Sequence, residues 1–263
     1  MLLLESSSLL ITHYNRSASL ERLLRSFRDI GVVFAKVVVS DDGSQPEHLE
    51  KLAQLQSDFR FQLVTTPVNR GLGNNINKGQ DQITTPYTLY VQEDFLPTAA
   101  FPQAIARALN LMDQEASIDL IRFYNHDLVY PGLRPFRDQF SDMDFCILRP
   151  GTAKFFCYSD TPHLRRQDFF KRFGRYSEGV KAIKCEKSMV MSVLQAKGRC
   201  LIADKNDIFV HENSEDEPST QDYSDFFRIR RLIPGPIFTI AWTAKLTTQF
   251  LFRKYRNDQG ATS

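Results

Sequence analysis

Apolar runs and segments with helical periodicity alternate along the first hundred residues. Residues 8–12 have the sequence Ser-Leu-Leu-Ile-Thr, which is typical of a buried strand, and the segment after it carries apolar side chains at helical spacing. Predicted strands lie at residues 8–12, 32–40, 61–64 and 87–91, and predicted helices at about 17–27, 46–56 and 74–82. This alternation predicts an α/β fold with a mostly parallel central sheet, flanking helices and right-handed crossovers.

The pattern weakens after residue 100. A helix over residues 99–112 and a strand over 118–124 precede residues 125–179, which are rich in aromatic residues, interrupted by prolines and weakly periodic. Irregular segments of that length inside a domain are often functional, so we expect this one to contact substrate. The predicted elements beyond it are a helix at residues 186–196 and short strands at 200–203 and 208–210.

Residues 226–256 differ in composition from the rest of the chain. They hold seven arginines and lysines and no acid around an apolar stretch, residues 237–252, that contains Trp242. Basic segments with interfacial aromatic residues are attracted to anionic membrane surfaces. The sequence therefore predicts a basic amphipathic C-terminal tail over residues 226–263. The alternative to a membrane-binding role is a helix packed on the catalytic domain or on a second subunit.

Composition narrows the class of protein. The chain has 263 residues, enough for one large α/β domain with a tail. Its formal charge of +2 with 24% charged residues does not indicate a nucleic-acid-binding protein. Four cysteines without a CxxC pair indicate reduced thiols in a cytoplasmic protein. Residues 1–5 lack the basic region of a signal peptide, and the chain has no run of eighteen apolar residues that would span a membrane.

Polar clusters follow four of the predicted strands. They are residues 12–16 (Thr-His-Tyr-Asn-Arg), Asp41-Asp42, Asn69-Arg70 and Glu93-Asp94. Because the carboxyl ends of parallel strands meet at the edge where α/β sheets bind ligands, we expect these clusters to line one cleft. Adjacent carboxylates there suit a divalent cation that carries a phosphorylated ligand. No GxGxxG motif follows the first strand, which disfavours a nicotinamide-binding domain.

In this order and at these spacings, the motifs resemble those of the family 2 glycosyltransferases of the glycosyltransferase A fold. The resemblance covers about the first hundred residues and rests on residues 10–16 (Leu-Ile-Thr-His-Tyr-Asn-Arg), 38–44 (Val-Val-Ser-Asp-Asp-Gly-Ser), 69–73 (Asn-Arg-Gly-Leu-Gly) and 91–94 (Val-Gln-Glu-Asp). It implies a catalytic domain over residues 1–225. Within it, residues 1–100 would bind the nucleotide sugar and residues 101–225 the acceptor.

The resemblance also implies roles for individual residues. The expected donor-binding residues are Thr12, Asn15, Arg16, Asp41, Asp42, Arg70 and Glu93. A carboxylate of the Asp41-Asp42 pair would accept from an N–H group of the base, and Arg70 would face the ribose or the diphosphate. These residue types suit such roles, since a fixed carboxylate can read N–H donors and a guanidinium matches phosphate geometry.

Glu93 and Asp94 occupy the place of the family's DxD metal motif, in which Gln92 here replaces the first acid. The resemblance implies that Asp94 binds Mg²⁺ or Mn²⁺, with His211 after a late strand as a second ligand. Oxygen ligands suit either ion, and the ion would neutralise the departing nucleoside diphosphate. A lone histidine is more often structural, and that alternative stays open for His211.

An inverting transfer needs a base that removes the proton of the acceptor hydroxyl while the hydroxyl attacks. Family members carry this carboxylate in a Glu-Asp pair that opens a helix. The counterpart here is Glu186, with Lys187 in place of the second acid. Reserve candidates are Asp142, Asp144 and Asp160, and the residues expected to contact the acceptor are His163 and Arg165.

The resemblance thus implies a metal-dependent, inverting glycosyltransferase of the hexosyltransferase type that uses a UDP, GDP or dTDP sugar. Its acceptor would be a hydroxyl of a glycan or lipid-linked glycan in surface polysaccharide synthesis, at the inner face of the membrane. One alternative is a nucleotidyltransferase of similar fold. The lack of a basic glycine-rich loop after the first strand argues against it. A second alternative is a degenerate transferase that serves as a binding module, which Gln92 and Lys187 favour.

Overall fold

The computed structural model describes residues 1–125, 130–212 and 235–255. The strands in these ranges are β1 (Leu2–His13), β2 (Val32–Asp41), β3 (Gln62–Val64), β4 (Tyr87–Gln92), β5 (Phe95–Pro97), β6 (Leu120–Arg122), β7 (Leu133–Arg137), β8 (Phe140–Met143), β9 (His163–Arg166), β10 (Cys200–Ala203) and β11 (Phe209–His211). The helices are α1 (Ser17–Asp29), α2 (Pro46–Phe59), α3 (Leu72–Gln80), α4 (Phe101–Gln114), α5 (Phe169–Phe173), α6 (Ala182–Gln195) and α7 (Gly235–Phe252). The α/β architecture predicted from the sequence is confirmed.

The described strands form a large sheet in the order β3-β2-β1-β4-β9-β6-β10-β8-β7, and β11 pairs with β5 separately. In its first half, β1 is parallel to β2 and β4, and β2 is parallel to β3. Leu9 and Ile11 pack in one apolar cluster with α1 and α4, whereas Leu10 packs in a second cluster with α3 and α6. Helices therefore cover both faces of β1, which explains its continuous apolar run.

The second half of the sheet is mixed. β9 lies between β4 and β6 and is antiparallel to both, and β8 is antiparallel to β7 and β10. β9 lies within the weakly periodic residues 125–179. The sequence pattern did not predict it, because His-Leu-Arg-Arg contains a single apolar residue. Long-range contacts bury it instead. The guanidinium of Arg165 lies within 5.3 to 5.8 Å of the ring centres of Tyr90, Phe169, Phe170 and Tyr176.

Helix α6 begins at Ala182, four residues before the predicted start at Glu186. Lys181 precedes it with extended backbone angles (φ −55°, ψ 144°). Glu186 therefore lies in the second turn rather than at the helix N-terminus. Because the field of a helix dipole falls off within the first turn, it acts only weakly at Glu186.

Only part of the predicted C-terminal tail is described. Helix α7 docks against the end of α6 through buried Leu246, and Gln195 Nε2 donates hydrogen bonds to the carbonyls of Phe250 (2.7 Å) and Arg253 (2.6 Å). The predicted basic residues Arg228, Arg230, Arg231 and Arg256 lie outside the described residues. Across the described ranges, no helix combines the length and apolar character that crossing a bilayer requires.

Candidate active site

A cleft of about 320 Å³ opens at the carboxyl ends of β1, β2 and β4. Each of the four polar clusters seen in the sequence contributes to its lining, with Thr12, Arg16, Asp42, Asn69, Glu93 and Asp94 among the lining residues. Residues 180–183, at the start of α6, form the opposite wall. The expected convergence of the strand ends on one cleft is therefore a feature of the structure.

Arg16 is a buried cation in the wall of this cleft. Its side chain is 4% exposed, and its Nη1 lies 2.9 Å from Asp94 Oδ2 and 3.4 Å from Glu93 Oε1. Its backbone N–H donates to His13 Nε2 at 3.2 Å, which fixes the turn after β1. One guanidinium opposite two carboxylates leaves a net negative charge, which favours a cationic ligand.

Asp94 has one oxygen in use and one without a partner. His211 Nε2 lies 3.4 Å from the same Oδ2 that binds Arg16, whereas the buried Oδ1 has no hydrogen-bond partner among the residues described. Burial opposes ionisation of Asp94, but the hydrogen bonds from His211 and Arg16 outweigh it and hold the pKa of this carboxyl below its usual value. The group is therefore an ionised carboxylate with a vacant acceptor oxygen.

A divalent cation fits this arrangement. In the described part of the chain, no group of three or more His, Cys, Asp or Glu side chains could hold a metal. Asp94 and His211, 3.4 Å apart, are the two candidate ligands named from the sequence. Mg²⁺ and similar hard cations are often bound by one or two carboxylates, with phosphates and water completing the shell. The unpartnered Oδ1 of Asp94 suits such an ion, because an unpaired carboxylate oxygen is costly to bury.

Asp42 lines the cleft and shapes it. Its two oxygens accept the backbone N–H groups of Arg70 (3.0 Å) and Gly71 (2.8 Å), so it holds the loop after β3 against the end of β2. Burial raises the pKa of this carboxyl above its usual value, although the two amides partly offset the effect. Each oxygen keeps a second lone pair that a ligand N–H can use.

Asp41, its neighbour, is fully buried and lies outside the lining of the cleft. Its carboxylate accepts hydrogen bonds from His13 Nδ1 (2.8 Å), from the hydroxyl and N–H of Ser44, and from the N–H of Gly43. Gly43 has a φ of +73°, and a side chain there would collide with Val68. Asp41 thus closes the turn after β2.

Asn15 and Arg70 are adjacent in sequence to residues that line the cleft. Asn15 bridges the turns after β1 and β2, because its N–H donates to Ser44 Oγ (2.8 Å) and its Oδ1 accepts from the N–H of Gln45 (2.8 Å). The side chain of Arg70 is 58% exposed, with Nη2 3.9 Å from Glu178 Oε2. Neither residue is part of the described lining itself.

The opposite wall is fastened to α3 by residues that the sequence did not single out. Glu178 accepts hydrogen bonds from Asn74 (2.8 Å) and Asn77 (2.9 Å), and Asn77 also exchanges two bonds with the backbone of Tyr176. Asn75 faces the cleft, and its buried Oδ1 has no partner in the described structure. These asparagines could have been read from the Asn-Asn-Ile-Asn stretch, but their partners lie about a hundred residues away.

Glu186 lies three and four residues after Ile183 and Ala182, which line the cleft, so all three share one face of α6. Its Oε1 accepts hydrogen bonds from Ser159 Oγ (2.8 Å) and from the N–H of Asp160 (3.1 Å). Its Oε2 has no hydrogen-bond partner among the described residues. One oxygen of this half-buried carboxylate is thus fixed and the other is available to a ligand.

The structure places the expected acceptor residues His163 and Arg165 inside the core, both 0% exposed. Arg165 donates to Gln80 Oε1 (2.7 Å) and to the hydroxyl of Tyr176 (2.8 Å), and His163 Nδ1 bonds to the carbonyl of Thr161 (2.8 Å). Neither side chain presents a surface to an acceptor in this conformation. Two of the reserve acids, Asp142 and Asp144, pair with arginines near β8. They are not part of the cleft lining, and neither are Asp160 and Glu186, although Glu186 follows the lining residues of α6.

Comparison with known proteins identifies the family. The family model described as glycosyl transferase family 2 matches residues 8–174, more than half of the chain. The chain belongs to this family. The match spans all four polar clusters and continues through β9, so it includes the sheet side of the cleft and the strand that the sequence pattern missed.

Relatives and solved structures agree with membership of glycosyl transferase family 2. A poly-beta-1,6-N-acetyl-D-glucosamine synthase of Staphylococcus epidermidis is 27% identical over 90 residues, which are 34% of this chain and 22% of that protein. The chain thus matches about a fifth of the length of this curated relative. S. aureus TarS, solved as residues 1–349 with UDP-GlcNAc, has a TM-score of 0.61 at 18% identity, covering 93% of this chain and 71% of that one.

A second solved structure shows the same fold in another organism. Mannosyltransferase PcManGT of Pyrobaculum calidifontis, in complex with GDP-Man and Mn²⁺, has a TM-score of 0.55 at 15% identity and covers 94% of this chain and 74% of that one. At such identities the likeness establishes the fold of this family 2 transferase rather than its substrates.

Proposed function

We propose that this family 2 protein is a metal-dependent, inverting glycosyltransferase that moves a sugar from a nucleoside-diphosphate sugar to a hydroxyl of a glycan or lipid-linked acceptor. The observation that carries the proposal is the buried Asp94 carboxylate, which keeps a vacant oxygen beside His211 at the edge of the sheet. A site of this kind suits a cation that carries a diphosphate. Solved structures of similar fold contain UDP-GlcNAc, UDP, or GDP-Man with Mn²⁺, which supports a nucleotide-sugar donor.

The donor would occupy the 320 Å³ cleft between the sheet edge and residues 180–183. Asp42 and Asn75 offer acceptor oxygens for the N–H groups of a base, while Thr12 offers a hydroxyl, and Arg16 fixes Glu93 and Asp94. Asn15 and Arg70 would border the ribose and diphosphate from the rim. Mg²⁺ or Mn²⁺ held by Asp94 and His211 would supply positive charge for the departing nucleoside diphosphate.

Glu186 is the base in this proposal. With Oε1 fixed by Ser159 and Asp160, its Oε2 would take the proton of the acceptor hydroxyl while that oxygen bonds to the anomeric carbon. The bond from that carbon to the donor diphosphate breaks, and its electron pair leaves with the diphosphate. Because the attack comes from the face opposite the leaving group, the anomeric configuration inverts. Lys187, which replaces the second acid of the family's pair, lies over the ring of Trp242 at 5.7 Å, so Glu186 is the carboxylate of this pair.

Binding and turnover measurements test this function. We expect UDP or GDP to bind in calorimetry with MnCl₂ and to bind less tightly in EDTA. Asp94→Asn should abolish the manganese dependence, and Glu186→Gln should retain nucleotide affinity but lose about a thousandfold or more in turnover. Glu115→Gln is the matched control, since Glu115 pairs with Arg137 on the surface. Nucleotide binding without any turnover in the wild-type protein would make it a binding module, and turnover unchanged in Glu186→Gln would assign the base to another residue. Pyrophosphate release from a nucleoside triphosphate and a sugar phosphate would make it a nucleotidyltransferase.

An anionic membrane surface is the proposed partner of α7, which would bring a lipid-linked acceptor to the cleft from the cytoplasmic side. Four apolar side chains of α7 are more than half exposed, namely Ile237, Ile240, Leu251 and Phe252. Lys187 and Lys245 lie over Trp242, and burial together with the charges of Lys245, Arg253 and Lys184 lowers the pKa of Lys187 to about 8. A cluster of cations beside exposed apolar residues complements anionic lipid.

Vesicle sedimentation tests the membrane proposal. The full chain should sediment with vesicles of phosphatidylglycerol and phosphatidylcholine, less with phosphatidylcholine alone, and less again at high salt. The variant Ile240→Glu should weaken sedimentation, whereas Val210→Glu changes another apolar residue that is more than half exposed but lies outside α7, and should not. Equal sedimentation of both variants would contradict a role for α7.

A further inference from the structure

A second carboxyl group lies next to the proposed base. Asp160 is 6% exposed, and its backbone N–H donates to Glu186 Oε1 at 3.1 Å. Its own Oδ1 accepts a hydrogen bond from the hydroxyl of Tyr158 at 2.6 Å. Its Oδ2 has no hydrogen-bond partner in the described structure. The backbone of Asp160 thus contacts the proposed base, and each of the two residues has one carboxyl oxygen fixed by hydrogen bonds and one available.

The surroundings of these two groups differ. In the described structure no cationic side chain donates a hydrogen bond to Asp160, because the nearby guanidinium of Arg165 is engaged by Gln80 and Tyr176. Glu186 is only half-buried and accepts two hydrogen bonds, and its charge also acts on the buried guanidinium of Arg122. A buried carboxyl that receives no hydrogen bond from a cation is costly to ionise, so burial favours the protonated form of Asp160.

Charge repulsion between the pair acts in the same direction. Burial, followed by the negative charge of Glu186, raises the pKa of Asp160 to about 8. The other titratable groups that act on Asp160 or are acted on by it are Tyr90, Tyr158, Tyr176, Cys185 and Arg165. Burial raises the pKa of each of these phenols and of the thiol, so they stay neutral while Asp160 titrates.

We propose that Asp160 is the neutral member of a carboxyl pair with Glu186 and that its carboxylic acid donates a hydrogen bond from Oδ2 to an oxygen of the acceptor. The assignment rests on the proposed function, because it requires Glu186 to be the base. During transfer the acceptor hydroxyl gives its proton to Glu186 and bonds to the anomeric carbon. Asp160 keeps its own proton and orients the acceptor. Two adjacent carboxyl groups thereby take two roles that their surroundings set.

The protonation state can be measured without any turnover. In protein labelled with ¹³C at the aspartate carboxyl carbons, one signal should titrate near pH 8 and be absent from Asp160→Asn. Asp142→Asn is the matched control, because Asp142 is paired with Arg199 at 2.9 Å, and it should leave that signal in place. If the signal lost in Asp160→Asn instead titrates near the usual value of about 4, the proposal is overturned.

The role of Asp160 in positioning the acceptor is tested by measuring how turnover depends on pH. Turnover is the release of nucleotide from UDP-GlcNAc or GDP-mannose, with water as the surrogate acceptor. Asp160→Ala should lower kcat/KM about tenfold, as expected for one lost hydrogen bond, and Asp160→Asn should recover much of that loss because an amide also donates. Wild-type turnover should fall as pH rises through about 8, and this alkaline limb should be absent from Asp160→Asn.

Four outcomes would overturn the role. If Asp160→Asn were as inactive as Glu186→Gln, Asp160 itself would be the base. If the alkaline limb of the pH profile were unchanged in Asp160→Asn, the proton of Asp160 would not be used. Full activity of Asp160→Ala would show that the acceptor does not contact it. Absence of turnover in the wild-type protein would refute the transferase and the acceptor contact together, while the carboxyl titration would still decide which member of the pair carries the proton.

Discussion

Arg16 Nη1 lies 2.9 Å from Asp94 Oδ2, a contact between residues 78 positions apart in the sequence. Both side chains are less than a tenth exposed. The contact joins the turn after β1 to the turn after β4, so the acid proposed to bind the metal is positioned by a residue of another polar cluster. It also helps to keep Asp94 ionised, since it lowers the pKa of that carboxyl against the effect of burial.

Arg16→Met should destabilise the protein by about 3 kcal/mol, because it leaves two buried carboxylates without their cation. Mn²⁺ should restore part of this loss, since a bound cation replaces the missing charge. Thermal denaturation with and without MnCl₂ measures both effects. Arg25→Met is the control, as Arg25 is 51% exposed and pairs with Glu21 on α1. An equal effect of Mn²⁺ on the wild-type protein and on Arg16→Met would contradict the link between Arg16 and the cation site.

Asp41→Asn should lower the free energy of unfolding by about 2 kcal/mol at neutral pH, since the carboxylate binds His13, Gly43 and Ser44 in the core. Burial opposes ionisation of Asp41, but the hydrogen bonds from His13 and Ser44 hold its pKa below the usual value. A depressed folded-state pKa contributes stability above the unfolded-state value, about 3.9, and loses it as pH falls. The difference between wild type and variant should therefore shrink below about pH 4 in denaturant titrations.

Glu178→Gln should weaken nucleotide binding several-fold and leave the fold intact. The change weakens the hydrogen bonds from Asn74 and Asn77 that fasten the wall at residues 180–183, and it removes a charge near Arg70. Calorimetry with UDP or GDP measures the affinity, and circular dichroism confirms the fold. Glu21→Gln serves as the control, because Glu21 is likewise a paired carboxylate but its partner is Lys51. Unchanged affinity in Glu178→Gln would show that the wall holds its position without this clamp.

Arg165→Met should destabilise the protein by about 3 kcal/mol, because Gln80 and the hydroxyl of Tyr176 lose their buried partner. Activity per folded molecule should change little, since the side chain is enclosed in the core. Denaturant unfolding and turnover measured on the same sample separate the two quantities. Arg134→Met, at a 65% exposed surface arginine paired with Asp144, should change neither. Lost acceptor affinity with normal stability would return Arg165 to an acceptor-binding role.

Sequence reasoning succeeded where the signal is local. The alternation over residues 8–91 predicted the parallel half of the sheet, because strand and helix periodicity is set by neighbouring residues. It could not find β9, whose His-Leu-Arg-Arg sequence becomes a buried strand only through β4, β6 and the aromatic rings around Arg165. The start of α6 was misplaced by four residues for a similar reason, since the extended backbone at Lys181 has no strong sequence signal.

By itself, the sequence determined that four strands end in polar clusters and that these ends share one edge of a sheet. That outcome follows from the periodicity of β-strands and from the parallel order of βα units. Only the tertiary structure decided how the roles divide among similar side chains. Asp42 faces the cleft while Asp41 closes a buried turn, and Asp160 lies beside Glu186 although 26 positions separate them. Burial and hydrogen-bond partners set what a carboxylate does, and both come from residues far away in the chain.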